Sequence, residues 1–204
     1  MDVLSKYRKA ENKSMKKLVK TVQESPVLVD KDMEIYIAEN AFLGIILATV
    51  ETFHRECMGL LVGIKKETGG FLLQHAIPYQ TATRSNVEVY PSYRVKKRLE
   101  KALSNFSHME VIGDFHSHPS WGELRYDTKP SEGDLEHMNS GSIYTIISIN
   151  EAAKKQQWKY NKDGTISGSV NGYFLRVGAW YLDESERKHK MAKIRCPFAL
   201  DLKV

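Results

Sequence analysis

The sequence predicts a single α/β or α+β domain in which a mixed β-sheet is flanked by helices. Its 204 residues are enough for one well-buried core but not for two substantial domains. Hydrophobic residues make up 42% of the chain and charged residues 27%, which is the composition of a globular protein. Short apolar segments with strand character alternate with segments whose apolar residues recur at helical spacing. This mixture predicts both kinds of element in one domain.

The net charge of +5 lies entirely in the first 23 residues. They include seven basic and two acidic residues, whereas the rest of the chain has 23 of each. Apolar residues recur here at helical spacing: Met15, Leu18, Val19 and Val22. We therefore expect residues 1–30 to form a basic amphipathic helix and a linker, and residues 31–204 to form one domain with a C-terminal extension. The helix suits a protein partner; without interleaved aromatic residues we expect no nucleic-acid binding.

The remaining composition bears on compartment and redox state. The longest apolar run, residues 41–50, is too short to span a bilayer, and no signal sequence opens the chain. We therefore expect a cytoplasmic protein without membrane contact. Cys57 and Cys196 are too few and too far apart for a disulfide framework or a thiolate zinc site. Both are expected to be reduced thiols.

The first third of the domain predicts a strand, a long helix and a β-hairpin. Residues 34–37 form a short strand, and residues 38–55 have apolar side chains at helical spacing. Residues 58–65 and 71–77 are apolar segments on either side of a turn that contains adjacent glycines. Because glycine tolerates the positive φ of tight turns, we expect these segments to pair as a hairpin.

The middle of the chain predicts a second helix, a buried strand and a third helix. The polar residues 81–90 are expected to form a loop, and residues 91–106 a charged amphipathic helix that opens with a proline. A strand follows at residues 111–116. Residues 119–130 have no regular period and predict a long loop. Ser131 then caps a short helix.

The last part of the chain predicts mainly strands. Residues 143–149 are almost continuously apolar, which indicates a buried strand. Residues 157–160, 165–170 and 173–182 have strand character as well. The residues after them are expected to be irregular.

Two histidines and an aspartate form a candidate metal site. His116 and His118 lie at the end of the predicted strand, where we expect their side chains to point to opposite faces. A turn out of the strand, fixed by Pro119, is then expected to direct both imidazoles to one ion. Asp134 lies in the first turn of the predicted third helix, from which it can project back toward the strand end. Two imidazoles and a carboxylate are a typical catalytic zinc set that leaves a fourth position for water. Asp127 in the preceding loop is the alternative third ligand.

Three sequence segments together resemble the JAMM (MPN+) metalloprotease family. They are ECMGLLVG at residues 56–63, GDFHSHP at residues 113–119 and SEGD at residues 131–134. In that family a glutamate precedes a glycine-containing strand, then come His-Ser/Thr-His-Pro and Ser-x-x-Asp. The resemblance covers residues 34–150 and implies a cytidine-deaminase-like MPN fold. Without large insertions beside the motifs, the chain is similar to compact archaeal or bacterial deubiquitinase-like members.

The resemblance also implies a role for each residue of the motif. His116, His118 and Asp134 would bind one zinc ion, with a water as fourth ligand. Glu56 would be the general acid/base that takes a proton from this water and delivers it to the leaving amine. Ser131 would help to stabilise the oxyanion, in addition to its role as a helix cap. The implied reaction is zinc-dependent cleavage of a peptide or isopeptide bond next to the C-terminus of ubiquitin or a ubiquitin-like protein.

Two other functions are compatible with parts of the pattern. The first is a non-catalytic MPN scaffold, although such domains characteristically lack some ligands that this sequence retains. The second is a cupin-like metal-binding protein, because Glu123 follows His116 and His118 at the cupin spacing. The glycines and the second histidine segment of a cupin are missing from the sequence, and its long helices do not suit an all-β barrel. The loop at residues 119–130 is also longer than the resemblance leads us to expect.

Removal of residues 1–23 is expected to leave both the domain and its metal site intact. The segment holds the net charge but none of the motif residues, and terminal segments tolerate truncation unless they are docked. Circular dichroism and the zinc content of the truncated protein test this. An unfolded or metal-free product would show that the apolar residues of the segment belong to the core.

Overall fold

The computed structural model describes residues 29–202 except residues 68, 82, 85–88, 91 and 122–126. The predicted basic N-terminal helix lies outside the described residues. The strands are β1 (Val29–Ile37), β2 (Met58–Lys65), β3 (Phe71–Pro78), β4 (Thr83–Arg84), β5 (Val89–Tyr90), β6 (Glu110–Ser120), β7 (Ile143–Glu151), β8 (Lys159–Tyr160), β9 (Ile166–Val170), β10 (Tyr173–Asp183) and β11 (Lys188–Arg195). The helices are α1 (Glu39–Glu51), α2 (Tyr93–Leu103), α3 (Glu132–His137) and α4 (Pro197–Asp201). Within this part of the chain no helix is long and apolar enough to cross a membrane.

A nine-stranded mixed sheet organises the domain, and β4 and β5 form a separate two-stranded sheet. The strand order of the large sheet is β11-β1-β3-β2-β6-β7-β10-β9-β8. The sheet closes on itself, because the second half of β10 also pairs with β11. Most of the buried apolar residues form one core between this sheet and α1. The predicted α+β class, a mixed sheet with helices, is therefore confirmed.

Several predicted elements are confirmed with small changes at their ends. The hairpin forms from β2 and β3, and β7, β9 and β10 lie where strands were predicted. The helix predicted over residues 38–55 ends at Glu51, and the helix predicted over residues 91–106 is limited to Tyr93–Leu103. The strand predicted at residues 34–37 begins earlier, at Val29, because it pairs with β11.

Two predictions of irregular structure were wrong. The expected loop at residues 81–90 contains the short strands β4 and β5. The C-terminal residues, also expected to be irregular, form β11 and α4. The many basic residues of β11 conceal a strand whose Met191, Ala192 and Ile194 are buried. One of its lysines, Lys190, is nearly buried because Asp183 and Glu186 accept its hydrogen bonds at 2.6 and 2.8 Å.

Helix α1 is held close to the sheet, which fixes the start of the segment that carries Glu56. Its Ala41, Phe42 and Ile45 are buried in the core. Gly44 lies so near β3 that a Cβ there would come within 2.9 Å of the Ala76 carbonyl oxygen. A short irregular segment, residues 52–57, then connects the helix to β2.

Substitution of Gly113 by alanine is expected to destabilise the domain strongly. A Cβ at this position of β6 would lie 1.7 Å from the backbone oxygen of Ile143 on the neighbouring β7, so the two strands would have to separate. We expect a loss of about 3 kcal/mol in the free energy of unfolding, measured by denaturant titration. Gly69→Ala is the control, because that site is open and has only the cost of a positive φ, about 1 kcal/mol. Equal losses in both variants would contradict the steric explanation.

Candidate metal centre

His116 and His118 lie inside β6, which continues through Pro119 to Ser120. Residues two apart in a strand point to the same face, so the regular strand itself brings the two imidazoles together. The prediction that the chain must turn out of the strand to do this was wrong. The Nε2 atoms are 3.0 Å apart, and the two residues are only 7% and 8% exposed.

Asp134 completes the cluster from the first turn of α3. Its Oδ1 lies 3.3 Å from Nε2 of His116, and its Oδ2 lies 3.8 Å from Nε2 of His118. One ligand atom from each of the three residues lies within 4.8 Å of the others. The structure therefore brings together the three residues that the sequence singled out as metal ligands.

Ser131 holds the Asp134 carboxylate in place. Both the backbone N–H and the hydroxyl of Ser131 donate hydrogen bonds to Oδ2 of Asp134, each at 2.7 Å. The Ser131 hydroxyl oxygen in turn accepts a hydrogen bond from the Asp134 backbone N–H at 3.2 Å. This reciprocal arrangement is a capping box, so the predicted helix cap is confirmed. It anchors Oδ2 and leaves Oδ1 directed at His116.

The tautomer of His118 follows from its second nitrogen. Nδ1 lies 2.9 Å from the backbone oxygen of Asp127. Because a carbonyl oxygen only accepts, Nδ1 must carry the proton and donate. In the neutral ring the lone pair is then on Nε2, the atom that faces His116 and Asp134. A metal-binding histidine is oriented by this kind of contact.

The pKa values of the cluster follow from burial and from mutual contacts. Burial alone would raise the pKa of Asp134. The hydrogen bond and charge of His116, together with the hydrogen bonds from Ser131, outweigh burial and hold this pKa well below its usual range. Burial lowers the pKa of His116, but contact with Asp134 outweighs this and raises it above the ordinary value. Burial and the neighbouring His116 lower the pKa of His118. Contact with each other thus shifts the pKa values of His116 and Asp134 in opposite directions.

The donor set fits zinc. Zinc in catalytic sites commonly binds three protein ligands drawn from nitrogen and carboxylate oxygen. Here two imidazole nitrogens and one carboxylate oxygen converge, the proton on His118 is directed away from the cluster, and the carboxylate is anchored. The residues present could therefore hold the ion.

Glu56 lines the same cavity as the three ligands, in the segment between α1 and β2. This cavity has a volume of about 1180 Å³. The charge of Glu56 contributes to the raised pKa of His116, which places its carboxylate near the cluster. The fold thus brings Glu56, which the sequence singled out, to the cavity from the segment before β2.

Ser117, between the two histidines, fixes the segment that holds Glu56. Its hydroxyl accepts a hydrogen bond from the Cys57 backbone N–H at 2.9 Å, and its own backbone N–H donates to the Cys57 oxygen at 2.9 Å. Ser117 is completely buried. Sequence analysis assigned it no role, although a small hydroxyl residue between two histidines was part of the motif.

Asp127 lies outside the ligand cluster. Its Oδ1 accepts a hydrogen bond from the Thr128 backbone N–H at 2.7 Å and faces Nη1 of Arg176 at 3.8 Å. Its backbone oxygen contacts the cluster by accepting a hydrogen bond from Nδ1 of His118. Glu123, the third residue of the cupin spacing, lies outside the described residues.

The fold and the cluster together define an α+β domain with two histidines and one carboxylate that could hold a metal ion at the end of a central strand. Residues 39–161 match the family Prok-JAB, described as prokaryotic homologs of the JAB domain, and the chain belongs to this family. The resemblance to the JAMM family that the motifs indicated is thereby confirmed. Because the chain belongs to this family, the alternative interpretation as a cupin-like metal-binding protein is no longer supported.

Two solved structures are similar to the chain. One is the solution structure of a Desulfitobacterium hafniense protein, 16% identical, with a TM-score of 0.55 over 79% of this chain and 92% of that one. A second is a solution structure of a Salinibacter ruber protein, 18% identical, with a TM-score of 0.47 over 79% of this chain and 91% of that one. At such identity the first likeness shows a shared fold alone. No curated protein matches the chain.

Proposed function

We propose that this protein is a zinc-dependent isopeptidase or peptidase that cleaves next to the C-terminus of ubiquitin or a ubiquitin-like modifier. The observation that carries the proposal is the convergence of His116, His118 and Asp134 in a cavity that Glu56 also lines. Three ligands with an adjacent carboxylate suit hydrolysis better than a purely structural ion, which is normally enclosed by four protein ligands. The modifier and the cytidine-deaminase-like form of the fold are proposed from the motif resemblance.

Each residue has a defined task in this reaction. His116, His118 and Asp134 hold the zinc, which when bound activates water at neutral pH and polarises the scissile carbonyl. Glu56 accepts the proton of the attacking water and later delivers it to the leaving amine. Ser131 donates its hydroxyl hydrogen to the developing oxyanion. To do so it turns from Oδ2 of Asp134, which keeps the hydrogen bond from the Ser131 backbone N–H.

The shape of the cavity supports a peptide substrate. From the metal ligands it extends along β2 and β6 toward the end of α2. Apolar side chains line this extension: Met58, Leu60, Leu103, Met109 and Val111. A cavity that has a partly apolar lining beside the candidate metal ligands suits a peptide chain terminus better than a small polar molecule. A protein partner is also proposed to bind the basic residues 1–23, and neither nucleic acid nor a membrane is invoked.

One experiment tests the function. The full chain is purified, its metal content is measured, and the zinc-loaded protein is incubated with linear and isopeptide-linked fusions of ubiquitin-like proteins. We expect one zinc per chain and cleavage of at least one fusion next to the modifier's C-terminus, abolished by a chelator and restored by zinc. Full zinc occupancy with no cleavage of any fusion would favour the alternative, a non-catalytic MPN scaffold.

A further inference from the structure

Three residues of β10 contact the loop that orients His118. Arg176, Gly178 and Trp180 alternate along the strand and therefore share one face of it. We call them the β10 clamp. Strand pairing places this face on the side of the candidate metal site. His118 of β6 lies opposite Ser148 of β7, and Ser148 lies opposite Arg176 of β10. The clamp and the ligands thus lie on the same side of the sheet, two strands apart.

Each member of the clamp contacts Asp127 or Thr128. The indole Nε1–H of Trp180 donates to the backbone oxygen of Thr128 at 2.7 Å, in a buried contact. Nη1 of Arg176 lies 3.8 Å from Oδ1 of Asp127. Gly178 provides the space for Thr128, since a Cβ there would lie 2.9 Å from the Thr128 Cβ and 3.0 Å from its Oγ1. Thr128 is accordingly only 3% exposed in a loop.

The carbonyl of Asp127 sits between the clamp and the metal site. It accepts the hydrogen bond from Nδ1 of His118, and the next residue, Thr128, is the one that Trp180 and Gly178 hold. A carbonyl in a loop keeps its direction only if the peptide units beside it are anchored. The Asp127 side chain strengthens the anchor, because its Oδ1 accepts from the Thr128 backbone N–H.

We propose that the β10 clamp is a positioning device for the metal site, with Trp180 as its main member. It fixes the Asp127 carbonyl, which keeps the proton of His118 on Nδ1 and directs the Nε2 lone pair at the ion. Groups that orient a ligating histidine in this way typically contribute about 10- to 100-fold to metal affinity. The inference rests on the proposed metal site and assigns a role to residues on a strand that supplies no ligand.

Two buried tryptophans provide a matched test. Trp180→Phe removes the indole N–H and keeps an aromatic ring in place. Trp158→Phe makes the same change at a residue that is also buried but whose Nε1 has no hydrogen-bond partner among the described residues. Zinc affinity of the full chain is measured by competition with a chromophoric chelator. We expect Trp180→Phe to weaken zinc binding at least about tenfold and Trp158→Phe to leave it close to wild type.

Trp180 also packs in an apolar cluster that Leu135 of α3 contacts. A second variant therefore distinguishes the effect of the loop contact from the effect of this packing. Gly178→Ala pushes Thr128 away from β10 without a change in any hydrogen-bonding group, and we expect it to weaken zinc binding in the same direction. It also carries the test if Trp180→Phe does not fold. The direct readout is the Nδ1–H proton of His118 in NMR spectra, which should exchange with solvent faster in both variants than in Trp158→Phe.

Two results would overturn the proposal. One is that zinc affinity and Nδ1–H exchange are both unchanged in Trp180→Phe and in Gly178→Ala. The other is that Trp180→Phe and Trp158→Phe lose zinc affinity to the same extent. If the wild-type chain binds no zinc, the proposed function fails instead. The exchange of the Nδ1–H proton in the metal-free protein still decides whether the clamp fixes His118.

Discussion

Each of the substitutions His116→Ala, His118→Ala and Asp134→Ala is expected to abolish tight zinc binding. The three ligand atoms lie within 4.8 Å of one another, and within the described residues no other such His, Cys, Asp or Glu cluster accompanies them. Loss of one ligand of three leaves too few donors to hold the ion in an open catalytic geometry. Zinc content after dialysis against a weak chelator is expected to fall from one per chain to nearly none.

His137→Ala is the control for this series, and Asp127→Ala tests the alternative third ligand. His137 lines the same cavity from α3, and Asp127 precedes that helix, but neither belongs to the ligand cluster. At saturating zinc both variants should retain one ion per chain. Full occupancy in Asp134→Ala combined with loss in Asp127→Ala would transfer the third ligand position to the loop.

The sequence predicts those parts of the site that depend on local spacing. Ser131 and Asp134 are three residues apart, which is the spacing of a capping box, and the structure contains one. The two histidines are two residues apart, which places them on one face of any strand that includes both. The strand that contains them was predicted to end at residue 116, because a proline at position 119 favours an exit from a strand. The strand β6 instead continues to Ser120.

The neighbours of Pro119 explain why β6 continues through it. The backbone N–H of Ser117 points toward the β2 side, where the Cys57 oxygen accepts it. Residue 119 points to the same side, but the pairing of β2 with β6 ends at His116. Beyond that point no described strand pairs with β6 on this side, and a proline is tolerated where no ladder donor is needed. This depends on the length of a neighbouring strand, which no local pattern encodes.

Contacts between distant parts of the chain could not be predicted from the sequence. The hydrogen bond from Trp180 to Thr128 joins residues 52 positions apart. Likewise, β11 pairs with both β1 and β10. This lysine-rich segment forms a strand because of these pairings, which its own sequence does not reveal. The sequence thus pointed to the candidate ligands, whereas the contacts that support them became visible only in the fold.

Glu56→Gln is expected to lose catalysis while it keeps the fold and the zinc. Glutamine has nearly the same size and still forms hydrogen bonds, so the segment that Ser117 holds should be undisturbed. Glu56 is not among the three ligands, so the zinc content should stay at one per chain. Glutamine cannot accept and return a proton at neutral pH, however, and a positioned general acid/base supplies about a hundredfold or more in rate.

The test for Glu56 compares turnover of an isopeptide-linked ubiquitin-like substrate by wild type and Glu56→Gln at equal zinc content. Glu51→Gln is the matched control, since it makes the same chemical change at an exposed residue at the end of α1. We expect a fall of at least about a hundredfold in kcat for Glu56→Gln and little change for the control. Unchanged turnover in Glu56→Gln would remove Glu56 from the mechanism, whereas loss of zinc would make it a ligand. Because a scaffold needs no proton transfer, loss of rate with retained metal is the result that separates an enzyme from a metal-stabilised binding domain.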